Sequence, residues 1–189
     1  MKLIGIGGTN GSGKDTVGQM LAERHGWLFV SVSDFLREEA KKRGLPLERE
    51  VLRSISAEWR RKYSLDKAVK LFKESDKKYK GLAVVPMRNP GEAQKVKDLG
   101  GVLVWVDADP KLRYSRVQAR LRSTEDHKTY QQFLDEEQAE IEHHGGDPAT
   151  LSNYKVKAMS DIFLENNGND IEAFKDAAEK ALKNSGIAL

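Results

Sequence analysis

Between the apolar run Leu3 to Ile6 and a helical stretch that begins near Lys14 lies Gly8-Thr9-Asn10-Gly11-Ser12-Gly13-Lys14-Asp15-Thr16. The Gly-x-x-x-x-Gly-Lys spacing is that of a loop that grips a polyphosphate. Glycines allow dihedrals that turn successive N–H groups inward and make an anion-binding nest. The positive end of the following helix points at the same place. Lys14 then adds a compact positive charge for the outer phosphates. Gly8, Asn10, Gly11, Ser12, Gly13, Lys14, Asp15 and Thr16 are therefore candidate ligands of a nucleoside triphosphate. No Gly-x-Gly-x-x-Gly is completed from Gly5, Gly7 or Gly11, which argues against a dinucleotide-binding dehydrogenase.

Asp15 stands where a Ser or Thr normally follows the lysine, and Thr16 comes one residue later. An acid in the first turn of a helix gains roughly 0.3–1 kcal/mol from the macrodipole. A carboxylate about 5 Å from a phosphate charge, at an effective dielectric near 20, loses about 3 kcal/mol. Repulsion wins, so Asp15 is expected to point away from the phosphates or to meet them through Mg²⁺, leaving Thr16 as the direct phosphate ligand.

Arginines supply the rest of the chemistry. Arg88 follows a strand-like run and precedes Pro90-Gly91, read as a turn, with Glu92 close enough to hold it. Its planar fork suits bidentate phosphate contacts. Arg37 lies in a helix just beyond another strand's carboxyl end, the crevice where open α/β sheets bind ligands. Asp34, three residues earlier, reads both as an N-cap and as a carboxylate for metal work. Arg113, Arg116 and Arg120 recur along one helical face, with Arg122 at its end. Arg116, Arg120 and Arg122 are candidates for neutralising a migrating phosphoryl group; Arg113 is assigned to the solvated surface. Asn166-Asn167-Gly168 reads first as a turn. His143 and His144, with Glu140 nearby, read as a solvated helix end, because adjacent residues on a helix face different ways.

The elements that must carry these residues alternate. Leu3–Ile6, Trp27–Val30, Leu82–Val85 (stopped by Pro86), Val102–Val106 and Ile162–Leu164 read as strands. Helical periodicity is read from about Lys14 to His25, Asp34 to Arg43 (closed by Gly44), around Val51–Ile55 and Leu65–Phe72, from Asp109-Pro110 onward, from Tyr130 to His143, and over Ile171–Leu182. Such alternation implies crossover units and a parallel sheet. A length of 189 residues suits a single domain, and 32% charged against 39% hydrophobic residues suits a soluble globular chain. A net charge of +3 is too small to imply a nucleic-acid partner. With no Cys there is no disulfide framework, thiolate nucleophile or Cys-based zinc site. No apolar run approaches a membrane span or a signal peptide, so the expected compartment is the cytoplasm.

On the loop Gly-x-x-Gly-x-Gly-Lys-x-Thr, the chain resembles nucleoside monophosphate kinases; the Gly-Lys-Asp-Thr variant resembles phosphomevalonate kinases and some viral deoxynucleotide kinases. Ser33-Asp34-Phe35-Leu36-Arg37, Met87-Arg88-Asn89-Pro90-Gly91-Glu92 and the basic helix after the fourth strand fall in the order that superfamily requires, and the second half also resembles dephospho-coenzyme A kinases. The resemblance implies a three-layer α/β/α P-loop domain with a central five-stranded parallel sheet, a helical acceptor-binding insertion near residues 33–80 and a small lid near 121–152. It implies ATP·Mg²⁺ as donor, a small phosphorylated acceptor such as a nucleoside or deoxynucleoside monophosphate, and action as a monomer or homodimer without nucleic acid or membrane. Lys14, Arg88, Arg116, Arg120 and Asp34 would be catalytic, and Asp34, Arg37 and Arg88 would hold the acceptor. Asp15 and Asp34 would attend the metal, and Asn167 would lie beside the donor base. A hydroxyl acceptor, with Asp34 as base, and a non-catalytic nucleotide-binding protein are the alternatives. One departure stands out. The family's acid shortly before the turn arginine is absent, because Val84, Val85, Pro86 and Met87 fill those positions; Asp34, Asp15 and Asp107 are the candidates to replace it.

Overall fold

A computed structural model describes residues 1–60, 64–75, 78–120, 128–142 and 152–189. The chain runs β1 (Leu3–Gly8), α1 (Lys14–His25), β2 (Leu28–Ser31), α2 (Val32–Lys42), α3 (Arg49–Arg60), α4 (Ser64–Glu74) and β3 (Leu82–Met87). It continues with α5 (Pro90–Asp98), β4 (Val102–Asp107), α6 (Pro110–Arg120), α7 (Tyr130–Glu142), α8 (Asn153–Met159), β5 (Ile162–Glu165) and α9 (Ile171–Asn184). The strands form the expected five-stranded sheet in the order β2-β3-β1-β4-β5, every pair parallel. Among the described residues no helix is long and apolar enough to cross a membrane.

The near-continuous apolar character of β1, β3 and β4 follows from burial on both faces. Ile4, Ile6, Val85, Val104 and Val106 pack under α1 and α9 against Val17, Leu21, Phe174 and Leu182. Leu3, Val84, Met87, Leu103 and Trp105 pack on the other face with Leu65, Val96 and Val156. A separate cluster of Leu36, Ala40, Ile55 and Trp59 joins α2 to α3. These two helices and α4 form the helical segment expected within residues 33–80.

Local chemistry shifts several boundaries. Ser31, not Asp34, caps α2, its Oγ accepting the Asp34 N–H at 3.3 Å, so the capping role assigned to Asp34 is corrected. β3 is not stopped at Pro86 but runs through it to Met87. The β1–β3 register shifts between Gly5 and Gly7, where the partner strand holds the residue that has no N–H to give. Pro90-Gly91 opens a helix rather than making a turn: Asn89 Oδ1 accepts from the Gly91 and Glu92 amides, and Pro90 fills the first helical position. Asp109 caps α6 as the sequence implies, accepting from the Lys111 and Leu112 amides. The seven-residue helix α8 escaped the sequence reading, since it is short and buries only Val156.

Candidate functional site

The loop between β1 and α1 includes two glycines at which any side chain would be strained. Gly11 has φ 79°, and a Cβ there would lie 2.6 Å from the Arg113 carbonyl oxygen. Gly13 has φ 94°, and a Cβ would lie 2.5 Å from Asn166 Nδ2. Gly13 is also the N-cap of α1, and no side chain closes that first turn. The first amides of α1 are thus left to whatever enters the loop, with the helix's positive end behind them. Lys14 is 8% exposed, and its Nζ donates to the Thr9 carbonyl at 3.1 Å.

Three further carbonyls of the loop are held from outside. Arg113 Nη1 donates to the Asn10 carbonyl at 3.4 Å, Arg116 Nη1 to that of Gly11 at 3.5 Å, and Asn166 Nδ2 to that of Ser12 at 2.9 Å. Thr9 Oγ1 donates to Asp107 Oδ1 at 2.8 Å, tying the start of the loop to the end of β4. Burial alone would raise the Asp107 carboxyl. Hydrogen bonds from Thr9, the Ala108 amide and Lys157 outweigh that and hold it below the ordinary carboxylate range.

Lys14, Asp15, Thr16, Arg116, Asn166 and Gly168 line a cleft of about 410 Å³ at the mouth of the loop. Arg116 donates to the Gly168 carbonyl and, at 3.4 Å, to Asn166 Oδ1. Among the described residues it meets carbonyl oxygens and no carboxylate, and burial pushes its guanidinium below its usual range. A cation so placed is suited to an incoming anion. Thr16 and Asp15 both reach the cleft.

The side chain of Asn167, whose loop is expected to meet the donor base through backbone groups, is engaged elsewhere. Its Oδ1 accepts the Asp109 amide at 2.7 Å, and it lines a second cleft of about 470 Å³ with Trp105, Asp107, Lys157 and Phe163. Asn166, 8% exposed, faces the loop instead, and its own amide donates to the Asp107 carbonyl at 2.8 Å. The signal was present: Ile162 and Leu164 are buried while Phe163 and Glu165 are exposed, and the same period of two carries Asn166 inward.

Arg113 corrects the sequence reading most sharply. It is 4% exposed rather than solvated. Its Nε donates to the Ala108 carbonyl at 2.8 Å, and its two terminal nitrogens grip the Glu137 carboxylate of α7, Nη2 at 2.9 Å. Arg120 ends α6, but its side chain lies outside the described residues, as do Arg122, His143, His144 and the Glu140 side chain. Much of the expected lid, 121–127 and 143–151, lies outside them too.

Farther along the same carboxyl edge of the sheet, Asp34 and Arg37 share the start of α2, Nη1 donating to Oδ1 at 2.6 Å on a largely exposed surface. Arg88 leaves the carboxyl end of the neighbouring strand β3 half-buried, its carbonyl accepting the Ser152 amide at 2.9 Å. The fold therefore sets Arg88 and the Asp34–Arg37 pair at the carboxyl ends of adjacent strands. For Mg²⁺, the described residues contain no group of three or more acids or histidines placed to hold a metal ion by themselves. A carboxylate beside the phosphate loop does fit an ion held mainly by phosphates, as Mg²⁺ usually is, and Asp15 is that carboxylate.

The sequence matches the AAA domain family AAA_18 over residues 4–143. A UPF0200 protein of Pyrococcus horikoshii is 31% identical over a stretch covering 82% of this chain and 86% of that one. A UPF0200 protein of Methanococcus maripaludis is 27% identical over 93% of each. Among solved structures, shikimate kinase from Bacteroides thetaiotaomicron has a TM-score of 0.59 at 12% identity, covering 99% of each chain. TT1252 from Thermus thermophilus has a TM-score of 0.58 at 19% identity over 98% of each. At such identities the structural likeness is one of fold, and it bears out the P-loop kinase-like architecture implied by the loop. Loop, sheet order and sequence match agree: the chain belongs to the AAA domain family AAA_18 and to the UPF0200 proteins.

Proposed function

We propose that the protein transfers the γ-phosphate of ATP to a small phosphorylated acceptor, most simply a nucleoside or deoxynucleoside monophosphate. The observation that carries this reading is the convergence of Lys14, Thr16 and Arg116 on one cleft at the mouth of the loop. Lys14 and the loop amides would hold the donor phosphates, Arg116 would meet the transferring group, and Arg37 and Arg88 would grip the acceptor. An anionic acceptor oxygen needs no general base, so positioning and charge neutralisation supply nearly all of the catalysis. Mg²⁺, when bound, would neutralise charge shared between the outer phosphates; Asp15 is the residue this chain offers to its shell. Asp34 is bonded to Arg37, which favours a role in orienting that arginine over direct metal ligation.

A second reading, transfer to a hydroxyl, draws on the same pair, since Asp34 is a carboxylate exposed at the carboxyl edge of the sheet and could accept a hydroxyl proton. ADP release from ATP·Mg²⁺ measured across nucleoside monophosphates, deoxynucleotides and dephospho-coenzyme A separates the two. Stimulation by a monophosphate, with Asp34→Asn weakening but not abolishing turnover, supports the first. Stimulation by a hydroxyl acceptor that Asp34→Asn abolishes supports the second. Nucleotide binding with no acceptor-dependent turnover would overturn both and leave a binding protein.

A further inference from the structure

We propose that Arg113 and Glu137 are positioning residues that set the orientation of the phosphate loop's amides, so that α7 is a structural part of the nucleotide site. Arg113 is more buried than Lys14 itself, on a helix whose expected task is to present arginines to phosphate. It faces backward, toward the outside of the loop. Its Nη1 holds the Asn10 carbonyl, and its own main chain is the surface on which Gly11 rests.

The consequence follows from the geometry of the peptide unit. In a planar trans peptide the C=O of one residue and the N–H of the next point in opposite directions. Holding the Asn10 carbonyl outward therefore turns the Gly11 N–H inward. The same argument makes Asn166, through the Ser12 carbonyl, responsible for the Gly13 N–H. Arg113 thus supplies no charge to a ligand; it fixes a peptide plane that does.

Glu137 makes this arrangement possible. A buried guanidinium without a carboxylate is strongly disfavoured, and a bidentate fork fixes its plane as well as its charge. Glu137 comes from α7, and no other described carboxylate grips Arg113 with both oxygens. Asp107 Oδ1 stands farther off, 3.7 Å from Arg113 Nε. The Phe133 ring, 5.5 Å from the guanidinium carbon, closes the remaining side.

This inference rests on the loop's binding a nucleotide, and its test separates the two claims. Replacing a buried ion pair by apolar side chains of similar volume commonly leaves the fold intact, so the variant of choice is Arg113→Met with Glu137→Leu. Three quantities are measured: the melting temperature, amide hydrogen exchange of residues 9–14 without ligand, and ADP·Mg²⁺ affinity by calorimetry. The expected result is a melting temperature within ~4 °C of the parent. Loop exchange should be about tenfold faster or more, with exchange in β5 and α9 unchanged, and ADP binding about tenfold weaker or more. A folded variant whose loop exchanges and binds like the parent overturns the proposal. If the parent itself binds no ADP, the nucleotide reading fails, and the exchange measurement still decides whether Arg113 and Glu137 hold the loop. Should the double variant not fold, Arg113→Lys, which keeps a cation for Glu137 but loses the planar fork, is held to the same exchange and affinity criteria.

Discussion

Thr9 and Asp107, 98 residues apart in sequence, share a 2.8 Å hydrogen bond that joins the first residue after β1 to the last residue of β4. On its other oxygen, Asp107 accepts from Lys157 of α8 at 3.3 Å. One carboxylate therefore connects the phosphate loop, the neighbouring strand and the helix that leads into β5. Asp107, a candidate to replace the missing strand acid, holds the loop in place through these hydrogen bonds.

Asp107→Asn should lower stability by about 1–3 kcal/mol near neutral pH, because the charge-assisted bonds from Thr9 and Lys157 are weakened. The carboxyl is held below its ordinary 3.8, so its contribution is present above that pH and lost as pH falls below it. Denaturant midpoints of parent and variant should accordingly converge below about pH 3.8. A gap of constant size across that range would show that the charge is not what matters.

Lys14→Ala should weaken ATP and ADP binding by about 100-fold while leaving the circular dichroism spectrum unchanged. Titration calorimetry reads it directly. Unaltered affinity would mean that the nucleotide sits elsewhere.

The adjacent asparagines should behave differently. Asn166→Ala leaves the Ser12 carbonyl without its donor and removes a partner of Arg116, so both stability, by about 1–3 kcal/mol, and nucleotide affinity should fall. Asn167→Ala removes only an acceptor for the Asp109 amide, so its effect should be confined to stability, about 1 kcal/mol. Paired melting and binding curves for the two variants check this.

α1 and α9 are joined by Arg24, which bonds Glu172, Asp176 and Glu179 at 2.7–3.0 Å. Hydrogen bonds from Lys183 and then Arg24 hold the Glu179 carboxyl at about 2, against an ordinary 4.5. The folded form thus gains from Glu179 above pH 4.5 and loses that gain as pH drops toward about 2. Calorimetric scans from neutral pH down to about pH 2 should show the parent melting earlier with acid across that window, and Arg24→Met showing a shallower decline. Added salt should narrow the difference, as expected for exposed charges.

The architecture was legible because it rests on pattern. Five apolar runs separated by helical periodicity can form little else than a parallel sheet, and the glycine spacing placed the loop before α1. The chemistry around the loop was only partly legible. Arg113 lies in a charge run, and such runs are usually solvated; its burial depends on Glu137, which is 24 residues away and carries no mark in the sequence. The inward side chain of Asn166 was missed because the turn was read by composition, whereas the alternation of β5 decides which of the two asparagines faces the loop. Asp34 was given a cap's role that Ser31 fulfils, since two capping residue types stood within one turn of each other.

The order β2-β3-β1-β4-β5 makes the loop-bearing strand the middle one. Arg88 emerges from its neighbour on one side and the strand leading to Arg116 is its neighbour on the other, so two strand spacings, roughly 10 Å, separate the two halves of the crevice. A fixed gauge of that kind limits what can be accommodated without rebuilding the sheet. Evolution of a new specificity in this scaffold is therefore expected to proceed through the helices and loops at the rim, with the spacing between the strands that carry Arg88 and lead to Arg116 inherited unchanged.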